Sequence, residues 1–294
     1  MSRQEAVSYS SNLAAYVELA KPRIVTLVLV TGAIGYLLGA GSFEPFGLFL
    51  STICGIALTA AGAGALNHFF EGDIDALMDR TRNRPIPSGQ IVPWHALAFG
   101  VYTTLGGLVL LLVNVNLLTA FLALLTTFLY VVVYTPMKRW SWANTLVGAV
   151  PGALPPMGGW AAATGQLGMG AWILFLIMFL WQQPHFYAIA WMFREDYRKG
   201  GLKMLPVVEP DGRSTFRQVL LNCAVLVPAS MLPWAVGLTG PVYLIGALLL
   251  GGLFMYRGVQ MAREGTHQSA RGVLKASVVY LPVLLGLILL DFWL

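Results

Sequence analysis

The stretch Ala65-Leu-Asn67-His68-Phe-Phe-Glu71-Gly-Asp73-Ile-Asp75-Ala-Leu-Met-Asp79-Arg80-Thr81-Arg82-Asn83-Arg84-Pro85-Ile-Pro87-Ser-Gly89 runs from an apolar segment straight into a dense mixture of acids and arginines. Upstream of it, from Phe46 to Leu66, there is no charge at all. About 20 such residues cross the hydrocarbon of a bilayer as a helix. Asn67, Glu71, Asp75 and Asp79 then recur every four residues. On a helix continuing out of the span they form one slowly drifting stripe, with Asp73 on the opposite face. Like charges at that spacing repel. A helix does not adopt such a stripe for its own stability, so the stripe calls for a cationic counterpart.

The rest of the chain agrees that lipid is its main solvent. Of 294 residues, 57% are hydrophobic and only 11% charged, against roughly 25% charged in soluble domains. That excludes a soluble enzyme, a disordered scaffold and a secreted disulfide-rich module. Cys54 and Cys223 each sit in an apolar run, with no metal or redox spacing. The net charge is +5, yet no basic stretch is interleaved with aromatics, so no nucleic-acid partner is expected. Nine apolar segments are long enough to span, at about 24–41, 46–67, 94–113, 117–137, 142–163, 170–193, 217–237, 242–260 and 274–293. The turns between them alternate between short uncharged ones and long charged ones. All 18 Lys and Arg fall on one side. The positive-inside rule puts that side, with the N-terminus, in the cytoplasm and the C-terminus outside. Residues 1–20 read as a polar cytoplasmic segment without the apolar core of a signal peptide. Residues 21–294 read as one membrane domain. The long charged loops after spans two and six echo each other, as internal repeats in membrane folds do.

The chemistry gathers in those loops. Asn67, Glu71 and Asp75 offer hard oxygen donors, which suit Mg²⁺ bound by one or two carboxylates together with phosphate oxygens. Arg80, Arg82 and Arg84 follow, and the arginine fork fits phosphate. Asp79 has two readings, as a member of the stripe or as an ion-pair partner of Arg82 or Arg84. The sixth span leaves the membrane through Trp181-Gln-Gln-Pro184-His185 toward Met192, Asp196 and Lys199. On one continuous helix these last four side chains share a face. Gly200 and Gly201 are expected to end that helix before Lys203. A third piece, Tyr134-Thr-Pro-Met-Lys138-Arg139, closes span four, with Asn144 just beyond.

These motifs resemble those of the UbiA-type intramembrane prenyltransferases. Asn67…Glu71…Asp75 closed by Arg84-Pro-Ile-Pro-Ser-Gly89 is similar to their first aspartate-rich motif. Asp196 with Gly200 and Leu205-Pro206-Val207 is similar to the end of their second, and Tyr134–Arg139 also matches. His68 after Asn67, Glu71 as the middle acid, Met192 in place of an acid, Pro151–Trp160 and Trp181–Phe186 resemble the branch of that family that farnesylates haem. The resemblance implies an all-α protein of nine transmembrane helices around a central cavity, in the cytoplasmic (inner) membrane. It implies farnesyl diphosphate as donor, haem B as acceptor and Mg²⁺ as cofactor, with a haem A synthase as a downstream partner. Metal ligands would be Asn67, Glu71, Asp75 and Asp196. Diphosphate would meet Arg80, Arg84, Lys138, Lys199 and Lys203, and haem would meet His185 and His68. Two rivals are a different prenyl acceptor on the same fold, such as a quinone precursor or chlorin, and a transporter. A transporter would place ionisable groups near the midplane, whereas here the apolar segments are almost free of charge.

Overall fold

The computed structural model describes residues 13–293, and no strand occurs among them. The expected segment 1–20 therefore lies largely outside the described residues. Among the described residues a short helical stretch over 13–19 leads into nine long helices. These are α1 (Pro22–Ala40), α2 (Phe46–Asp75), α3 (Pro93–Asn114), α4 (Leu117–Trp140), α5 (Asn144–Thr164), α6 (Met169–Met192), α7 (Arg213–Ala235), α8 (Pro241–Glu264) and α9 (His267–Trp293). Each falls on one of the nine apolar segments. Eight are long and apolar enough to cross a membrane, and α5 is the exception. It carries Pro151, Pro155 and Pro156 inside the helix and is buried along most of its length. Prolines are tolerated there because neighbouring helices cover the freed backbone carbonyls.

The arrangement follows from where small residues sit. Helices α1 to α4 form one group and α6 to α9 another, and α5 wedges between them against α1, α4 and α6. A Cβ on Gly159 of α5 would stand 1.8 Å from the Gly32 carbonyl oxygen of α1. One on Gly35 would stand 2.0 Å from the Pro156 carbonyl oxygen. The α1–α5 crossing is thus backbone on backbone, the close approach that small residues permit between membrane helices. Gly55, Gly62, Gly100 and Gly107 make a similar seam between α2 and α3. Large apolar side chains such as Leu249, Leu253, Val113 and Phe121 point outward, toward lipid. Among α1, α2, α4 and α5 an apolar cavity of about 40 Å³ is lined by Val28, Ile56, Ala60, Ala63, Leu122 and Leu154, with Thr59, Thr119, Thr126 and Thr127 as its polar side chains.

One expected alignment fails. His185, Met192, Asp196 and Lys199 do not share a face, because α6 stops at Met192. Phe193 leaves the helical region at φ −110°, ψ 23° and a new short helix, Arg194–Lys199, starts after it. His185 therefore faces α9 while Lys199 reaches the loop after α2. The helix ends at Lys199 and Gly201 follows in the left-handed region (φ 68°), as its glycine pair predicts.

Candidate active site

Each polar residue of the α2 stripe is met by a cation from a different part of the chain. Lys21 Nζ donates to Asn67 Oδ1 at 2.5 Å, and the Asn67 amide donates to Thr135 Oγ1 at 2.9 Å. Lys138 Nζ donates to Glu71 Oε1 at 2.5 Å. Arg84 Nη1 lies 2.9 and 2.7 Å from the two oxygens of Asp75, whose side chain is fully buried. The cationic counterpart demanded by the stripe thus includes three of the protein's own side chains. Helix α2 ends at Asp75, so Asp79 leaves the stripe. The chain turns back there, and Thr81 Oγ1 donates to the Asp75 carbonyl at 2.9 Å.

Two of these contacts depend on unusual local backbone. Lys21 holds φ 52°, the only positive φ outside glycine among the described residues. Pro22 after it disfavours the ordinary helical conformation, and the left-handed turn lets Lys21 precede α1 while its side chain reaches Asn67. In α4, residues Leu129–Tyr134 form a π-helical turn, a feature that recurs at functional sites. Tyr130 and Tyr134 stack at 5.7 Å there, Lys138 Nζ lies 4.5 Å over the Tyr134 ring, and Tyr130 OH is 3.4 Å from Lys21 Nζ. Burial pulls the Lys21 ammonium down from its ordinary value to about 7, with the Glu71 carboxylate partly opposing. Lys21, Tyr130 and Thr135 were not singled out from sequence. A lysine before a proline at a helix start is a weak local signal, and nothing local says what it reaches 46 residues away.

The loop after α6 clamps onto the loop after α2. Asp196 accepts from the backbone N–H of Asp79 (3.2 Å) and Arg80 (3.1 Å). Lys199 Nζ meets Asp79 at 2.5 Å and holds that carboxyl below its usual range, while Arg82 lies 3.6 Å from Asp79. The Arg80 guanidinium stacks between Phe193 (5.1 Å) and Tyr197 (5.5 Å). Beneath the clamp, Ile74, Met78, Ala190, Leu202 and Met204 form a small apolar core. The Lys203 backbone is pinned at both ends, to the Lys138 carbonyl at 2.7 Å and by Asn144 Nδ2 at 3.1 Å, and its side chain is exposed. Asp73 pairs with Arg139 on the outside (2.7 Å).

The expected set of residues thus divides. Asn67, Glu71, Asp75, Arg84 and Lys138 gather in one largely buried acid–cation cluster. Asp196, Arg80 and Lys199 sit together at its rim, and Lys203 lies beside it. His68 is buried on the turn next to Asn67, with Nδ1 unpartnered. His185 is elsewhere, between α6 and α9, with Nδ1 2.7 Å from Ser277 Oγ and its ring stacked on Trp181. No cluster of three or more His, Cys, Asp or Glu side chains suited to a metal occurs among the described residues. The oxygens of Asn67, Glu71 and Asp75 nevertheless fit Mg²⁺, because that ion takes one or two carboxylates and completes its shell with phosphate oxygens and water. An anionic phosphate group would draw the same three cations away from those oxygens.

A model of the UbiA prenyltransferase family matches residues 28–279. The chain belongs to the UbiA prenyltransferase family. A protoheme IX farnesyltransferase of Solibacter usitatus is 49% identical over 285 residues, spanning 94% of this chain and 98% of that protein. One of Salinibacter ruber is 47% identical over 279 residues, spanning 95% and 99%. Among solved UbiA-type folds, a digeranylgeranylglyceryl phosphate synthase superposes with a TM-score of 0.81 at 22% identity, covering 96% of this chain and 98% of that one. A UbiA homologue from Archaeoglobus fulgidus, bound to GPP and Mg²⁺, gives 0.65 at 15% identity, covering 93% and 99%.

Proposed function

We propose that this UbiA-family protein is a protohaem IX farnesyltransferase. It transfers the farnesyl group of farnesyl diphosphate to a vinyl group of haem B, with addition of water, to give haem O and diphosphate. The observation that carries the reading is the pairing of a buried acid–cation cluster with close identity to proteins of that name along nearly the whole chain. In this reading nine helices cross the inner membrane with the N-terminus and charged loops in the cytoplasm. The haem O formed passes to a haem A synthase.

Asn67, Glu71 and Asp75 would hold Mg²⁺ from inside the cluster, and Asp196, whose carboxylate keeps lone pairs beyond its two backbone bonds, would contribute from the rim. Bound Mg²⁺ supplies Lewis-acid stabilisation of the diphosphate leaving group. Lys21 exchanges the Asn67 amide oxygen, and Lys138 and Arg84 their carboxylate partners, for diphosphate oxygens, with Arg80, Lys199 and Lys203 ranged around the rim. The prenyl chain runs down the apolar cavity from Ala63 toward Ile56, away from water. The allylic C–O bond breaks with its electron pair leaving on the diphosphate, the vinyl carbon attacks the allylic cation, and water adds to the new cation beside the porphyrin, its proton passing to the diphosphate released. No dedicated base is required. What the protein must do is exclude water until the carbon–carbon bond has formed.

His185 is the haem contact in this reading, with His68 a second, nearer the pocket. Ser277 Oγ donates its one hydrogen to the Leu274 carbonyl at 2.7 Å. It therefore accepts from His185 Nδ1–H, which leaves the Nε2 lone pair free, the arrangement seen when histidine ligates a metal. We expect His185→Ala to weaken haem binding about tenfold, a loss of roughly 1.4 kcal/mol, and to leave affinity for a non-hydrolysable farnesyl diphosphate analogue unchanged. Titrations followed by haem absorbance and by calorimetry read the two separately. The opposite split removes His185 from the haem site.

Lys21 gives a pH signature. Its ammonium, lowered to about 7, loses its proton as pH rises through that value. Affinity for the same analogue should fall between pH 7.5 and 9, by at most about tenfold per unit for one proton. Lys21→Met should bind more weakly at pH 7 and show no such fall. An equal slope in both proteins excludes Lys21 from the diphosphate site.

The assignment as a whole is tested by mass spectrometry of haem extracted from cells with and without the protein. Haem O should appear only with it. Identical haem in both, with a prenylated quinone precursor instead, transfers the chain to the other acceptor class.

A further inference from the structure

Helices α8 and α9 form an antiparallel pair on the outer face of the bundle, joined by a turn at Gly265 and Thr266. Arg257 lies seven residues before the end of α8 and Lys275 eight residues after the start of α9. Counted from the turn at 1.5 Å per residue, both sit about 10–12 Å along their helices, at one level. The Arg257 side chain runs across α9, its Cδ 3.7 Å from where a Cβ on Gly272 would stand. Lys275 follows Gly272 by three residues and Arg271 precedes Lys275 by four, so the three cations crowd one groove. Arg271 and Lys275 are exposed and Arg257 half-buried. Among the described residues none of the three lies within ion-pair distance of a carboxylate. Arg257 meets only the Gln260 side-chain oxygen (2.9 Å) and the Tyr256 ring (5.6 Å).

Away from the turn, the same faces become apolar. Exposed Tyr256, Leu253 and Leu249 descend α8, and Val278, Val279 and Val283 descend α9. Cations needed only to fix orientation belong at the helix ends, and Arg263 already stands in the last turn of α8. Two unpaired cations two turns inside the helices, level with each other and directly above an outward apolar stripe, match a phosphodiester carrying two acyl chains. We propose that the α8–α9 groove is a specific site for an anionic phospholipid, its phosphate held by Arg257 and Lys275, its headgroup toward Arg271, and its chains along Leu253 and Val279. The proposal does not depend on the reaction catalysed.

The test is native mass spectrometry of the full chain in detergent, titrated with phosphatidylglycerol or with phosphatidylcholine of identical chains. Phosphatidylglycerol should be retained in a defined stoichiometry. Arg257→Gln/Lys275→Gln should bind it at least about tenfold more weakly, given about one kcal/mol per basic residue near an anionic surface. Phosphatidylcholine should bind both proteins equally weakly, and millimolar inorganic phosphate should not displace the lipid. If that double variant does not fold, Arg271→Gln/Lys275→Gln, at two exposed positions, should show the same direction of loss. Equal phosphatidylglycerol retention by wild type and a folded variant would overturn the site. So would equal retention of the two lipids, and competition by free phosphate would reassign it to a simple anion site.

Discussion

Asp75→Asn should lower turnover by about a thousandfold or more at saturating substrates, because a Lewis-acid site supplies several kcal/mol of transition-state stabilisation and each 1.36 kcal/mol is tenfold in rate. The variant should also be less stable. Read from the stripe alone, removing Asp75 relieves repulsion by Glu71 and favours folding. The structure reverses that expectation, since Arg84 Nη1 stands 2.7 and 2.9 Å from the two carboxylate oxygens. Neutralising a buried partner leaves the guanidinium uncompensated, at a cost of roughly 1–3 kcal/mol for a group still partly wet. Asp75→Asn/Arg84→Gln should recover most of the lost thermal stability and none of the turnover. The two readouts, kcat and the unfolding midpoint in detergent, then separate the chemical role from the structural one. Asp75→Asn turnover within tenfold of wild type removes Asp75 from the metal site.

Gly159→Ala should be the most damaging single methyl in the bundle. Its Cβ would lie 1.8 Å from the Gly32 carbonyl oxygen and 2.9 Å from the Tyr36 nitrogen, both backbone. No side chain can rotate away, so α1 and α5 must separate. Overpacking in a tight core costs about 1–3 kcal/mol and occasionally more. Here the strain falls on the helix that joins the two groups, so little monodisperse protein should survive purification. Gly158→Ala is the matched control. Nothing lies within 4 Å of its added Cβ, and replacing a mid-helix glycine gains roughly 0.5–1 kcal/mol. Equal size-exclusion profiles for the two variants would show that the α1–α5 crossing is loose.

The fold was legible because lipid imposes its own period. A charge-free run such as Phe46–Leu66 can only be a buried or spanning helix, and the positions of all nine long helices follow. What could not be read was phase. Nothing between Met192 and Asp196 marks the break at Phe193, where a change in two dihedrals turned one expected face into two. The π-helical turn at Leu129–Tyr134 is equally silent, because every residue in it is an ordinary helix or strand former. In the site, the acids were legible and their partners were not. A four-residue repeat announces that Asn67, Glu71 and Asp75 face one way. Which cation meets each depends on contacts spanning from nine residues, for Arg84, to 67, for Lys138. Asp79 had two local readings, and its 2.5 Å contact is with Lys199, 120 residues on, with Arg82 farther off at 3.6 Å.

The central claim is that this buried acid–cation cluster serves transfer of a farnesyl group to haem. The direct measurement uses the purified protein with farnesyl diphosphate, haem B and Mg²⁺, and reads the haem product by mass. A mass gain of one farnesyl group plus one hydroxyl is predicted, absent when Mg²⁺ is chelated and absent in Asp75→Asn. Unmodified haem with intact farnesyl diphosphate, from a protein that binds both, would contradict it.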